Sequence, residues 1–339
     1  MSPSKAGFAT AEGTTRFSRS HERERVVSSF YRNAHGLTVS SLGLGTYLGP
    51  PNDETDRAYL DAARAAVASG INFFDTAINY RHQRSERALG EALKDVPRDE
   101  FVICTKAGFL TPDAVPDFLT SADVVGRMHS MAPDFLADQI ERSRANLGLD
   151  AIDVFYLHNP ETQLAHVSRP EFDKRLRAAF TRLEQLVAEG QIRYYGTATW
   201  DGYRQPNQLN LARVASLAKE AGGTDHHFRF VQLPFNLGMV EAYTGRPESV
   251  LDVAAREGIT VVASATLLEG RVLQHMPDAV AELLPELTTD AQRAIQFTRS
   301  TPGIAVALVG MSRAAHVHDN MGVSAVPPAT IERYLRFFE

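Results

Sequence analysis

Residues 71–108 read INFFDTAINYRHQRSERALGEALKDVPRDEFVICTKAG. Ile71-Asn72-Phe73-Phe74 and Phe101-Val102-Ile103-Cys104-Thr105 are short apolar runs, the pattern of buried strands. Residues 85–95 between them have the 3.6-residue rhythm of an amphipathic helix. A helix between two strands makes them parallel neighbours. Both strands end on polar groups: Asp75, with Tyr80 just after it, and Lys106. His158 follows a similar run, Ile152-Asp153-Val154-Phe155-Tyr156-Leu157. Parallel strands would collect all four at one mouth of the sheet.

The alternation extends in both directions. Strands are expected at 42–46, 71–75, 101–105, 152–157, 192–197, 228–233, 259–264 and 304–309. Helices are expected at 54–69, 85–95, 134–147, 171–189, 208–221, 247–257, 288–300 and 314–322, with a terminal helix at 328–338. Apolar strands between helices imply a parallel sheet covered by helices. Eight of them point to an α/β fold, a closed (β/α)8 TIM barrel with its chemistry at the C-terminal strand ends. An open doubly wound sheet is the competing architecture. It calls for a glycine-rich turn placed directly between strand and helix. Gly43-Leu44-Gly45 has neither that spacing nor an immediate helix.

Upstream, residues 30–40 read as a hairpin around Gly36. The polar, Ser-, Thr- and Arg-rich residues 1–25 read as a disordered tail, leaving 26–339 as a single barrel domain. The long loop after strand 3, residues 107–132, holds Phe109, Leu110, Phe118, Leu119, Met128, His129 and Met131. It reads as a substrate-facing lid, with outer packing or an oligomer contact as alternatives.

With 339 residues, 44% of them hydrophobic, the chain can bury one large core. A net charge of −6 without a basic run argues against a nucleic-acid partner. Cys104 is the only cysteine, so no intrachain disulfide can form. A cytoplasmic setting and a buried, inert thiol are expected. No apolar run approaches the ~18 residues of a membrane span. The N-terminus lacks a signal-peptide core, and Glu12, Glu22 and Glu24 count against a transit peptide. Oligomerisation stays open.

The four mouth residues suggest proton delivery to a carbonyl. Hydride addition to the carbon leaves negative charge on oxygen, and Tyr80 can supply the proton. A free phenol has a pKa of about 10. A Lys106 ammonium nearby favours the tyrosinate left behind, and Asp75 can hold that ammonium. His158 can hydrogen-bond the same oxygen. Each has a plainer reading: Asp75 a turn cap, Tyr80 a rim aromatic, Lys106 a salt-bridged strand end, His158 a satisfied core histidine. A metal site built on Asp75, His158 and His82 is disfavoured, because no second histidine stands at ligand spacing on the His158 strand.

The segments GLGTY (43–47), FFDTAINY (73–80), SERALGEAL (85–93), ICTKAG (103–108) and DVFYLHNP (153–160) resemble the aldo-keto reductase family. IRYYGTATW (192–200), VQLPFNL (231–237), VVASATLLEG (261–270) and VALVGMSRAAHVHDNMG (306–322) extend the resemblance. It implies an (α/β)8 barrel with a hairpin closing the bottom, NADPH-dependent reduction of small-molecule aldehydes or ketones (or the reverse oxidation of an alcohol), and no metal. Tyr80 would be the general acid, assisted by Lys106 and Asp75, with His158 orienting the carbonyl. Cofactor contacts would come from Gly45, Thr46, Asp75, His158, Asn159, Thr199 and Gln232. Ser264, Leu267 and Gly270 would follow on the next strand and its loop. The adenosine end would meet Gly310, Ser312, Arg313, His316, Asp319 and Asn320, with Arg313 and Ser312 favouring NADPH over NADH. Three positions stand out as departures from the family pattern. Ala198 and Thr199 stand where Ser-Asn is usual, and Ser264 replaces a common stacking tyrosine. Tyr47, Phe109, Leu110, Asn159 and Trp200 are expected around the substrate, whether it is an apolar carbonyl compound or a sugar aldehyde. A cofactor-binding regulatory subunit, resembling the potassium-channel beta subunits of the same superfamily, remains the second function class.

Overall fold

The computed structural model describes residues 7–22 and 26–339. A hairpin of β1 (Tyr31–Ala34) and β2 (Leu37–Ser40) precedes the main sheet. Eight strands then close into a barrel: β3 (Leu42–Gly45), β4 (Phe73–Asp75), β5 (Val102–Ala107), β8 (Ile152–His158), β9 (Ile192–Ala198), β10 (Phe228–Pro234), β11 (Thr260–Ser264) and β12 (Ile304–Gly310). Between β5 and β8 lies a small antiparallel pair, β6 (Val124–Val125) and β7 (His129–Ser130). Every barrel pairing is parallel, and β12 closes on β3 with Ala307 opposite Leu42 and Gly310 opposite Gly45. The expected (β/α)8 barrel with an N-terminal hairpin is the observed fold.

Strand side chains alternate between two cores. Phe74, Ile103, Phe155, Leu157 and Val231 face outward and pack with the helices. Phe73, Val102, Cys104, Val154, Tyr156, Phe230, Val262, Val306 and Leu308 fill the barrel interior. Ala34, Leu37 and Val39 of the hairpin join that inner cluster, so the hairpin plugs the end opposite the strand C-termini. Gly43 is required there, since a Cβ would stand 2.7 Å from Leu308 and 2.9 Å from Val306. The helices begin where their sequences supply caps. Asn52 accepts from the Thr55 amide ahead of Asp53–Ala68, and Ser168 from the Glu171 amide ahead of Arg169–Ala188.

The expected disorder through residue 25 is corrected for its central part. Ala11–His21 is a helix, with the Thr10 side chain accepting from the Gly13 amide. Phe17 is buried, Arg16 pairs with Asp99 and Glu100, and the Ala9 amide donates to Asp153 Oδ1 at 2.8 Å. A polar segment of this length does not hold a helix alone, and docking supplies the stability its composition lacks. Residues 1–6 and 23–25 of that call lie outside the described residues.

The 107–132 segment is more ordered than its composition suggests. It folds back so that Phe109 bridges His129, with Leu110 N donating to Met128 O and Ser130 N to Gly108 O. His129 and Met131 are buried, while Phe118 and Met128 are exposed.

Candidate active site

The pleat decides which residues meet. On β5, Val102 and Cys104 point inward, so Lys106 does too. The same count brings Asp75 on β4, His158 on β8, Ala198 on β9 and Gln232 on β10 to the inner rim. Lys106 is fully buried, and its Nζ donates to Asp75 Oδ1 at 2.6 Å and to Thr76 O at 2.7 Å. Asp75 Oδ2 accepts from Gln232 Nε2 at 2.8 Å. Lys106 Nζ lies 4.7 Å from the centre of the Tyr80 ring. The Tyr80 and His158 rings meet edge to face, 5.7 Å between centroids. The four residues expected at the mouth are therefore in one cluster.

Burial works against the Lys106 charge, but Asp75 and Tyr80 together outweigh it and leave the ammonium above its ordinary value. Burial raises Asp75, against the pull of Lys106 and Gln232. Burial also raises the Tyr80 phenol, while Lys106 draws it down. Tyr80 is thus a protonated phenol at neutral pH, beside a cation that stabilises its anion. Burial, helped by Lys106 and His129, holds His158 well below the usual imidazole range, so its ring is neutral. His158 Nδ1 has no partner.

The chain around Tyr80 is strained. Arg81, His82 and Gln83 have φ of 51°, 55° and 68°, left-handed values that cost non-glycine residues roughly 1–3 kcal/mol each. Arg81 fixes this turn, donating to Pro50 O at 3.1 Å, to Asn52 O at 3.3 Å and to the Asp56 carboxylate. His82 is exposed on the same turn.

Above the cluster lies a cavity of about 570 Å³. Of the expected cofactor residues, Gly45, Thr46, Asp75, His158, Asn159, Thr199, Gln232, Ser264, Leu267, Gly270 and Gly310 line it. Tyr47, Phe109 and Trp200 line it as well, and Leu110 does not. The hydroxyls of Thr199 and Thr266 are buried in this wall without partners. Such orphaned groups fit a polar ligand such as a nicotinamide dinucleotide. The following loop is built for close backbone approach, with Ala265, Leu268, Glu269 and Gly270 all at positive φ.

Ser312, Arg313, His316, Asp319 and Asn320 lie outside this cavity, on the segment that leaves β12 at Gly310. Arg313 is the exposed N-cap of Ala314–Asn320 and has no ion-pair partner among the described residues. His316 and Asp319 are exposed, Ser312 is half-buried and Asn320 is buried.

Sequence reading missed two functional neighbours. Glu161 is buried, and its Oε1 accepts the amides of Trp200, Asp201 and Gly202 at 2.8, 3.2 and 3.1 Å, pinning the turn after Thr199. His129 touches the His158 carbonyl. Neither belongs to a spaced motif, although Glu161 immediately follows the HNP of 158–160.

Comparison with known proteins agrees with this geometry. The model of the aldo/keto reductase family matches residues 41–337. A D-threo-aldose 1-dehydrogenase of Pseudomonas sp. is 36% identical over 177 residues, covering 48% of this chain and 51% of that protein. The NADH-specific methylglyoxal reductase of Escherichia coli is 32% identical over 188 residues, covering 52% and 55%. The matched region thus spans about half the length of these two curated relatives. A putative voltage-gated potassium channel subunit beta of Schizosaccharomyces pombe is 24% identical over 328 residues, 89% of each chain. Among solved structures, an aldo/keto reductase from Klebsiella pneumoniae in complex with NADP and acetate superposes with a TM-score of 0.68 at 20% identity, covering 92% of this chain and 94% of that one. The holo form of an aldo-keto reductase from Bacillus halodurans gives 0.65 at 22% identity, covering 91% and 95%. These two likenesses show a common barrel. With its family pattern matched from the first barrel strand almost to the last residue, this chain belongs to the aldo/keto reductase family.

Proposed function

We propose that this protein reduces an aldehyde or ketone to an alcohol, or runs the reverse oxidation, with NADPH/NADP+ as redox partner and Tyr80 as general acid. One observation carries the reading: the Tyr80 phenol reaches the cavity while a fully buried ammonium, Lys106, stands 4.7 Å from its ring. The bound nicotinamide would supply or accept the hydride. The chain's own residues handle the proton. As charge grows on the carbonyl oxygen, Tyr80 donates its O–H and Lys106 stabilises the phenolate. Asp75 keeps Lys106 in place. The neutral His158 ring turns an N–H to the same oxygen and orients it. Thr199 and Gln232 would hold the carboxamide, Leu267 and Gly270 the pyrophosphate, and Arg313 with Ser312 the 2′-phosphate.

The NADP-bound Klebsiella relative and the unpaired Arg313 favour NADPH, whereas the E. coli relative is named for NADH. A single buried, free cysteine supports a reducing, cytoplasmic setting. Among the described residues no helix is long and apolar enough to cross a membrane.

The test is oxidation of NADPH and of NADH with a panel of aldehydes, ketones and sugar aldehydes, for the parent and Tyr80→Phe. We expect turnover by the parent and a loss of about 100-fold or more in the variant, the scale of general acid catalysis. Equal turnover by both would remove Tyr80 from the acid role. A second reading, a regulatory subunit that binds cofactor without turnover, draws on the likeness to the potassium-channel subunit over 89% of each chain and on Ala198. Tight NADPH retention with no substrate consumed across the panel would favour it.

A further inference from the structure

His129 is a fully buried imidazole that the proposed chemistry does not use. It lies on β7, in the segment after Lys106, yet it reaches into the end of β8. The geometry at that end explains why. The Asn159 amide donates to Ala198 O at 2.7 Å, toward β9. The His158 carbonyl belongs to the same peptide and therefore points the other way, toward β5. β5 has ended at Ala107, opposite Leu157, so no strand donor remains for that carbonyl. His129 Nε2 fills the gap at 2.8 Å. A carbonyl only accepts, so the proton is on Nε2. The other ring nitrogen agrees, since Nδ1 takes a hydrogen bond from Gln163 Nε2 at 3.1 Å. Gln163 Oε1 in turn accepts from Arg175 at 3.1 Å. The contact is tight: a Cβ on Gly108 would lie 2.5 Å from the His158 carbonyl oxygen and 2.7 Å from His129 Nε2. Phe109 stands edge-on to both imidazoles, 5.2 Å from each.

We propose that His129 is a positioning residue for His158. Its Nε2–H replaces the missing strand donor at the His158 carbonyl, and together with Phe109 it holds the His158 ring edge-on to Tyr80. The segment after Lys106 thereby acts as a fixed wall of the site. Without His129, the peptide that carries His158 has a buried acceptor with no donor, and the ring beside it loses its register against Tyr80.

The inference rests on the carbonyl-reductase reading for its kinetic arm alone. In that arm, His129→Phe should lower kcat about 10-fold or more while NADPH binding, read by cofactor fluorescence, stays within twofold. His129→Gln, whose amide can donate to the same carbonyl, should recover most of kcat. A purely structural role would move cofactor binding and kcat together, with no rescue by glutamine. The second arm needs no turnover. Nitrogen-15 NMR of histidine-labelled parent protein should show His129 as a single Nε2–H tautomer, and His129→Phe should shift the His158 ring resonances. An Nδ1–H tautomer, or His158 resonances unchanged by a folded His129→Phe, overturns the proposal. Should that variant not fold, the tautomer in the parent decides. If the parent turns over no carbonyl while the NMR outcome holds, the activity reading falls and the positioning role stands.

Discussion

Lys106 separates stability from chemistry at a single residue. Its Nζ holds Asp75 at 2.6 Å, and both side chains are buried at the foot of the cavity. Lys106→Met would leave Asp75 as a buried carboxylate with Gln232 as its remaining side-chain donor, at a cost of about 3–5 kcal/mol. Lys106→Met combined with Asp75→Asn removes both charges. We expect the double variant to recover much of the stability in urea unfolding while remaining inactive, because the phenolate of Tyr80 would still lack its cation. On the proposed mechanism the same residues set the pH profile. Reduction needs Tyr80 protonated, and its pKa lies above the ordinary 10. It also needs a neutral His158, whose pKa lies well below 6.5. kcat/KM for reduction should therefore be level from pH 6.5 to about 9, a unit below the ordinary phenol value. The oxidative direction needs the phenolate and should rise with pH at the alkaline end. A break in the reductive profile inside that plateau would show that another group donates the proton.

At the scale of elements, the legible parts were those with a period. The strand ends at Asp75, Lys106 and His158 could be read because each closes a short apolar run that alternates with a helix; the face each side chain takes comes from the pleat of the folded sheet. Ala11–His21 was not legible. Its buried anchors are Phe17 and small polar side chains, and its partners Asp99 and Asp153 are far away in sequence. The small β6–β7 pair and Asp278–Leu283 were missed because two-residue strands and helices of under two turns carry no periodic signal. The terminal helix, expected over 328–338, runs only from Ile331 to Leu335 before tightening into a 3-10 turn. His129 was visible in the sequence only as one polar residue in an irregular stretch. The role proposed for it comes from β5 ending at Ala107, short of the His158 carbonyl, which no local pattern reveals. The N-terminal helix gives a test at this scale. It docks on Asp99, Asp153 and the hairpin, at the end of the barrel away from the cavity. Phe17→Ala should lower stability by about 3 kcal/mol and leave kcat within twofold, measured by urea unfolding beside steady-state kinetics.

For the molecule as a whole, acid stability follows from histidines buried in neutral form. Burial lowers His129 from 6.5 to about 4 and His158 well below 6.5. In both cases the folded pKa is depressed. Above pH 6.5 neither state binds the proton and the stability is fully present. As pH falls below 6.5, the unfolded chain takes up protons that the folded barrel refuses, and stability declines until the folded pKa is passed. Buried carboxylates act with the opposite sign, since Asp75, Glu86 and Glu161 are raised by burial and gain protons more readily when folded. The parent's total slope is therefore a difference of competing terms, and one histidine is best isolated by comparison with a variant that cannot titrate. His129→Gln keeps a donor for the His158 carbonyl and leaves the carboxylates as they are. A shift of this size corresponds to about 3 kcal/mol at 1.4 kcal/mol per unit. We expect His129→Gln to gain that much on the parent between pH 7 and pH 4, read from paired urea titrations. A stability difference that stays constant across that range would mean that His129 is not held neutral inside the fold.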